Sequence, residues 1–597
     1  MTGATANDQV NEAYDVVVVG SGAGGLGTAL VCRHAGLSVL VLEKTAKFGG
    51  STAVSGGAVW IPDNPHMAGV GHRDTLDAAR RYLRQTVGEA LREPLMEAYL
   101  QHGPEMVRFM EAHTEVHFIA RAVSPDYKPE LDGAMPGGRT IDPAPFDGRT
   151  LGTLFEQLRR PLPSFLALGG MMVNRKDIDA LLAMHKSIAA LGHALPLLLR
   201  YAKDRLKWSR GTRLVLGNAL AARLLKSAHD AGIALIPSAR VTRLETNGAR
   251  VSGVTVEIGG KRRTIVARRA VVLATGGYAQ NAALRAKLVP HAELHRSMAP
   301  EGNTGDGALL AEPLGGHFAS GNAGAAFWTP VSVFRDSDGR EAVFPHLITD
   351  RQKPGIMAVD ANGLRFANEA TSYHDFVAAM HRANATAPCV PAWLICDSDF
   401  VRKYGLGRVR PRSLSLGRYV RSGYLKCGAT LDALACEIGV PPEALAQSAA
   451  RMNAFAKSGV DEEFGRGNSA YDRYLGDASQ RPNPCLGPIE TGPFYAVRIV
   501  PGDIGSATGL ETNERAQVLD GNGAAIAGLY AVGNDMNSVM GGTYPAAGIT
   551  LGPALTFGYI AGCDIAASAG IAGEPAAANR DAHLVTPSPY NKEAFSS

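Results

Sequence analysis

The strongest constraint on this chain is a glycine triplet set between a strand and a helix. Tyr14 to Val19 (YDVVVV) is short, β-branched and almost free of polar residues, the pattern of a buried parallel strand. Gly20-x-Gly22-x-x-Gly25 follows at once, with Ser21 and Ala23 in the gaps. Next come the helical pattern LGTALVCRHAG and a second strand, Leu37 to Leu42, closed by Glu43. This is a βαβ unit of roughly thirty residues. In such a unit Gly20 permits the tight turn, Gly22 lets the backbone approach a pyrophosphate, and Gly25 lets helix and strand pack closely. The helix N-terminus adds unpaired N–H groups and the positive end of a dipole. Glu43 stands 23 residues after Gly20, where a carboxylate can accept hydrogen bonds from ribose hydroxyls. A lone glycine motif is weak evidence. Strand, glycines, helix, strand and acid in one register are not.

Length and composition narrow the rest. The 597 residues suffice for several domains, and 46% hydrophobic against 19% charged residues excludes a disordered type. A net charge of +4 gives no case for nucleic-acid binding. The seven cysteines show no CxxC spacing, so reduced, mostly buried thiols of a cytoplasmic protein are expected, with no metal site. The segment MTGATANDQVNEAY lacks the basic and apolar regions of a signal peptide. No apolar run reaches the ~18 residues of a spanning helix.

Along the chain, Thr75 to His113 reads as helical, 125–152 as loop, and Asp177 to Leu225 as interrupted helix. Strands are expected at Ala234 to Leu244, Gly253 to Glu257, Thr264 to Val266 and Ala270 to Ala274, the last closed by Thr275-Gly276-Gly277. Two short strands return between 515 and 533. Gly548 to Ala566 reads as an apolar helix, and the tail after about Gly573 as loosely ordered.

A second glycine-rich segment, Gly49-Gly-Ser-Thr-Ala-Val-Ser-Gly-Gly57, follows the acid. Late in the chain Gly528-Leu-Tyr-Ala-Val-Gly-Asn534 looks like a strand returning to the cofactor. With Ala274-Thr-Gly-Gly277, these pieces resemble FAD proteins of the fumarate reductase and ketosteroid dehydrogenase superfamily over nearly the whole chain. The resemblance implies an α/β fold: a Rossmann-like FAD-binding domain at 1–330 and 501–573, an inserted α+β catalytic cap domain at 331–500, and a tail at 574–597. The cofactor-binding set it implies is Gly20, Ser21, Gly22, Ala23, Gly25, Glu43, Lys44, Gly50, Ser51, Thr52, Ser55, Gly56, Gly57, Val241, Thr275, Gly276, Asp306, Gly533, Asn534, Thr550 and Leu551. Some members attach FAD through a histidine in the second glycine segment. None occurs from Gly49 to Val59, so non-covalent FAD is expected.

Two positions separate the branches of this superfamily. In Arg365-Phe-Ala-Asn-Glu369-Ala-Thr-Ser-Tyr373, fumarate reductases place an arginine where Tyr373 stands. They place another near Gly548 in Gly541-Gly-Thr-Tyr544-Pro-Ala-Ala-Gly548. A dicarboxylate is best held by such guanidinium forks, and their loss argues against that substrate. The tyrosines are similar to those of 3-ketosteroid Δ1-dehydrogenases. That resemblance implies Tyr373 as the base beside a ketone, Tyr544 and the Gly548 N–H on the ketone oxygen, and Tyr127 hydrogen-bonded to the base. The expected substrate is a lipophilic, steroid-like ketone and the electron acceptor is external, such as a quinone. Ala546-Ala547 replaces the Gly-Pro of many Δ1 enzymes, so Δ1 and Δ4 desaturation stay open. A flavin-dependent reductase of an enone or unsaturated acid is the alternative, and a redox-silent FAD scaffold a third.

Leu195 to Arg213 lies outside this pattern. It joins apolar residues to Arg200, Lys203, Arg205, Lys207, Arg210 and Arg213. A basic amphipathic helix on an anionic membrane surface and a core-packed helix with a solvated basic face both produce it. The apolar segment Leu162 to Val173 lies nearby.

Overall fold

The computed structural model describes residues 12–570. The expected tail at 574–597 lies outside them. Strand Ala13–Val19 leads through helix Ala23–His34 to strand Val39–Leu42, which pairs with it in parallel. Around this unit runs a parallel core of five strands, in the order Ala234–Ile236, Val39–Leu42, Ala13–Val19, Lys261–Leu273 and Ala525–Ala531. The strand Ala13–Val19 is almost wholly buried because both its faces are covered.

Lys261–Leu273 is one strand of 13 residues where two short ones were expected. Its first half pairs antiparallel with Arg250–Ile258, and its second half runs parallel beside Ala13–Val19. Arg268 and Arg269 interrupt the apolar pattern without breaking the backbone ladder. Arg250–Ile258 in turn pairs with the edge strand Ala239–Asn247.

A second, seven-stranded sheet is centred on the long strand Phe494–Ser506, flanked by Ala326–Arg335 and Ala392–Cys396. The expected domain limits at 330 and 500 fall inside two of its strands. Helix Tyr373–Ala383 packs on Ala326–Arg335. The expected loop at 125–152 contains Thr140–Pro143, the centre of a three-stranded sheet with Val59–Trp60 and Phe118–Ala120. Those partners lie far away in sequence, so local pattern does not reveal the strand. The expected helix at Thr75 to His113 divides into Leu76–Val87 and Glu93–His113, with Gly88 at positive φ between them.

Half of the basic stretch is turned inward. Arg210 is buried and stacks on Phe155, Arg213 pairs with Asp177, and Arg200 pairs with Asp147. Lys203, Arg205 and Lys207 are exposed. Among the described residues no single helix is long and apolar enough to cross a membrane. The bent pair Arg175–Ala183 and Ile188–Asp204 meets that test of length and composition only jointly.

Candidate active site

The dinucleotide cradle is built from the first turn outward. Gly20 has φ +114°, and a Cβ there would lie 2.1 Å from the Ala274 oxygen. A Cβ on Gly25 would lie 2.3 Å from the Gly20 oxygen. Gly22 differs. Its nearest neighbour would be Thr52 Oγ1 at 3.8 Å, so this glycine opens onto free space, and its N–H has no acceptor among the described residues. The first and third glycines thus serve the turn and the packing, while the second faces the cradle. Gly50 approaches Gly22 from the opposite side, and Gly56 and Gly533 also border open space. The donors and openings fit a pyrophosphate-linked cofactor.

The remaining expected cofactor residues form a bonded frame. Glu43 accepts from Ser21 Oγ at 2.6 Å and from Thr45 N and Oγ1 at 2.9 Å each. Thr52 Oγ1 accepts from Ala23 N at 2.9 Å, while Ser55 Oγ donates to Thr52 O and accepts from Gly57 N. Ala239 N bonds Glu43 O, which draws Val241 toward the same end of the sheet. Lys44 Nζ is engaged by Asp306 at 2.8 Å and Thr304 at 2.6 Å, so these two expected residues pair with each other. Thr275 is held by Asp535, which accepts from its N and Oγ1 and from Gly277 N. Asn303 Nδ2 donates to Ser51 Oγ and to Gly276 O, each at 2.8 Å. Asp535 and Asn303 escaped the sequence reading, since their role rests on contacts across the fold. Gly533, Asn534 and Thr550 line a small cleft with Phe327, and Leu551 begins the final helix Leu551–Ser568 beside it.

The catalytic candidates converge from four segments. Tyr373 is the first residue of helix Tyr373–Ala383, whose cap Ser372 accepts from Asp375 N at 3.0 Å. Arg351, fully buried, donates to the Glu369 and Thr371 oxygens just ahead of it. Glu369 is clamped by Arg365 and Arg466, which gives the Arg365 segment a structural role. Tyr127, expected in a loop, is buried. Its N–H donates to Pro545 O at 2.8 Å, and Tyr82 Oη donates to the same oxygen at 2.7 Å. Beneath it Asp126 accepts from Trp60 Nε1 and Arg139, and Arg139 is also forked to Asp74.

These anchors put the Tyr127 hydroxyl 3.3 Å from that of Tyr373, donating to it. The Tyr544 ring stacks on Tyr127 at 5.6 Å and meets Tyr373 edge-on at 5.2 Å, with Phe327 on another side at 5.7 Å. Tyr471, from helix Ala470–Leu475, packs on Tyr127 at 4.5 Å and was not foreseen. Gly548 has φ +106°, and a Cβ there would lie 2.6 Å from Trp60 N and 2.7 Å from Val59 C. Its N–H is buried without an acceptor among the described residues.

Electrostatics distinguish the members. Burial pushes Tyr373 well above the ordinary phenol value, and Tyr127 and Tyr544 add to the rise. Burial also raises Tyr127 and Tyr544, opposed in both cases by the Tyr373 hydroxyl. The positive end of helix Tyr373–Ala383 opposes the rise at Tyr373. Burial pushes His374 down to about 4, so it is neutral, with Nδ1 accepting from Trp328 N at 3.1 Å. His374 is thereby spent on the backbone, although its ring lies 5.8 Å from Tyr544.

Residues 15–551 match the FAD binding domain family. The chain belongs to that family. FAD is its cofactor. A 4-oxocyclohex-2-ene-1-carboxylate 5-dehydrogenase of Sinomonas cyclohexanicum is 38% identical over 93% of this chain and 94% of its own length. A 3-oxosteroid 1-dehydrogenase of Mycobacterium tuberculosis is 38% identical over 93% and 99%. The crystal structure of 3-ketosteroid delta1-dehydrogenase from Sterolibacterium denitrificans, in complex with 1,4-androstadiene-3,17-dione, superposes with a TM-score of 0.87. It is 38% identical and covers 94% of this chain and 100% of that one. Membership of the FAD binding domain family, with relatives of this kind over nearly full length, makes the protein an oxidoreductase acting on CH–CH bonds.

Proposed function

We propose that the protein desaturates a cyclic ketone next to its carbonyl, with a 3-oxosteroid as the preferred substrate. The observation that carries this is the cluster of Tyr127, Tyr373 and Tyr544 beside the unpaired Gly548 N–H. Removing a proton beside a ketone builds negative charge on the ketone oxygen. The Tyr544 O–H and the Gly548 N–H are two donors suited to that charge, each worth about 2.7–4 kcal/mol in such a role. Tyr373 accepts the proton; although its phenol neighbours add to its rise, a neutral Tyr127 donating to its oxygen stabilises the phenolate once formed. Bound FAD supplies the hydride acceptor. The buried tyrosines and Phe327 exclude water from the base, which keeps it strong and its charge unscreened.

A second reading rests on the Sinomonas relative named for a 4-oxocyclohexene carboxylate. A carboxylate substrate needs a free cation. Arg121 lies close enough to Tyr127 to influence it, yet its guanidinium is forked to Asp142 at 2.7 Å through both nitrogens. That pairing favours the uncharged ketone. We further propose an external acceptor such as a quinone, and contact with an anionic membrane surface. Helix Ile188–Asp204 supports the latter, since Ile188, Leu191, Leu195 and Leu199 are exposed along it, with Lys203, Arg205 and Lys207 at its end. Arg410 of the cap reaches the same region by donating to Leu166 O.

Anaerobic bleaching of the purified flavoprotein tests the assignment. 4-Androstene-3,17-dione, a saturated 5α-3-ketosteroid and 4-oxocyclohexanecarboxylate are added separately, and fumarate is added to the reduced protein. Bleaching by a steroid is the expected result, and the product's double bond separates Δ1 from Δ4. Bleaching by the oxo acid alone replaces the steroid. Reoxidation by fumarate with no ketone bleaching makes the protein a reductase. For the membrane surface, pelleting with anionic liposomes that is lost on Arg205→Glu with Lys207→Glu is expected, and no pelleting of the unaltered protein ends that proposal.

A further inference from the structure

Tyr471 is the one phenol of the aromatic cluster for which the desaturation mechanism has no use. It comes from the cap, on helix Ala470–Leu475, and is buried to 3% exposure. Its hydroxyl is enclosed and makes no hydrogen bond of good geometry among the described residues. Leaving a hydroxyl so costs stability of the order of 1–3 kcal/mol, and a phenylalanine would pack the same space without that cost. Its ring lies 4.5 Å from that of Tyr127, tilted by 49°. Arg351, which interacts electrostatically with Tyr471, is a fully buried guanidinium whose hydrogen bonds go to the backbone carbonyls of His346, Leu347, Glu369 and Thr371. Carbonyls orient this cation, and Asp350 and Glu369 are the acids that act on it. Burial raises the Tyr471 phenol, Arg351 and Tyr127 draw it down, and Asp472 and Asp375 push it up. Tyr373, Tyr127 and Tyr471 therefore form a row of phenols, and Arg351 acts electrostatically on the last of them.

We propose that Tyr471 is the third phenol of the base, a positioning residue that stabilises the ionised Tyr373–Tyr127 pair by hydrogen bonding to Tyr127. The negative charge needed at Tyr373 is then spread along the row toward Arg351. This inference rests on the assignment of Tyr373 as base. It separates Tyr471 from a packing residue, because it makes the pH at which the base ionises depend on one oxygen atom that reaches Tyr373 only through Tyr127.

The test uses the full-length, FAD-loaded protein and its Tyr471→Phe variant. With 4-androstene-3,17-dione, kcat/KM of the variant should fall about tenfold near neutrality, the equivalent of one pH unit on the limb that rises with pH. Activity should recover at higher pH while KM stays unchanged. Tyr474→Phe, on the same short helix, should leave the profile in place. Independently of turnover, the tyrosinate absorbance that Tyr373→Phe removes from an ultraviolet titration should appear at higher pH in Tyr471→Phe. A profile and a titration that superimpose on those of the unaltered protein overturn the inference, whatever the change in melting temperature. Tyr373→Phe distinguishes the two levels: if it remains active with an unchanged profile, the base assignment itself fails.

Discussion

Replacing Tyr544 by phenylalanine isolates one oxygen atom. The ring is held on three sides, by Tyr127 stacked at 5.6 Å, Tyr373 edge-on at 5.2 Å and Phe327 edge-on at 5.7 Å. Phenylalanine keeps all three contacts. The hydroxyl interacts with the Tyr373 and Thr550 side chains, so its loss removes one or two neutral hydrogen bonds, each about 0.5–1.5 kcal/mol of stability. Loss of an oxyanion donor costs about 2.7–4 kcal/mol in the transition state, or a factor of 10²–10³ in kcat. The two effects thus differ in kind as well as size: a fold that melts close to the unaltered temperature and a rate lowered at least a hundredfold. Stopped-flow reduction of the flavin by 4-androstene-3,17-dione reads the rate, and thermal unfolding of the same sample reads the fold. A flavin reduction rate within tenfold of the unaltered protein would refute the oxyanion role of Tyr544.

Further consequences follow from the same geometry. Gly548→Ala places a methyl group against the Trp60 and Val59 backbone and keeps φ at +106° only at a cost of about 1–2 kcal/mol, so both melting temperature and kcat should fall, the latter through a displaced N–H. Equal kinetics in this variant would remove Gly548 from the site. Because burial raises Tyr373 and only its ionised form accepts a proton, kcat/KM should climb about tenfold per pH unit from neutrality into the alkaline range. A plateau reached near pH 6 would contradict this. Burial holds His374 and His381 near 4, below the unfolded value of 6.5, so the unfolded chain binds more protons between those limits. Stability should therefore be fully present above about pH 6.5 and decline toward pH 4. His381→Leu should flatten part of that decline, read as melting temperature against pH, and an unchanged slope would exclude His381 as a contributor.

The legible parts of this molecule were those in which a local pattern and a chemical need coincide. The strand Ala13–Val19, the three glycines and Glu43 each have one physical reason to be where they are, and all lie within a single βαβ unit. Tyr544 and Gly548 share one short segment, so they were also legible together, although the cause of the glycine was not. Its positive φ and the backbone of Val59 and Trp60 require it, and both belong to the tertiary fold. Distance in sequence hid the remainder. Asp535 and Asn303 act by pinning the Thr275–Gly277 loop, and no spacing rule links residues 275, 303 and 535. Tyr471 meets Tyr127 only because the tertiary fold brings helix Ala470–Leu475 against the Tyr127 segment. The basic stretch erred in the opposite direction. Its charges looked uniform in sequence, but Asp147 and Asp177 lie where Arg200 and Arg213 turn inward, so the exposed charge is confined to Lys203, Arg205 and Lys207. Charge patterns report the solvent face of a helix only when no distant acid competes for them. Glycine patterns depend far less on such neighbours, because they answer to the backbone itself.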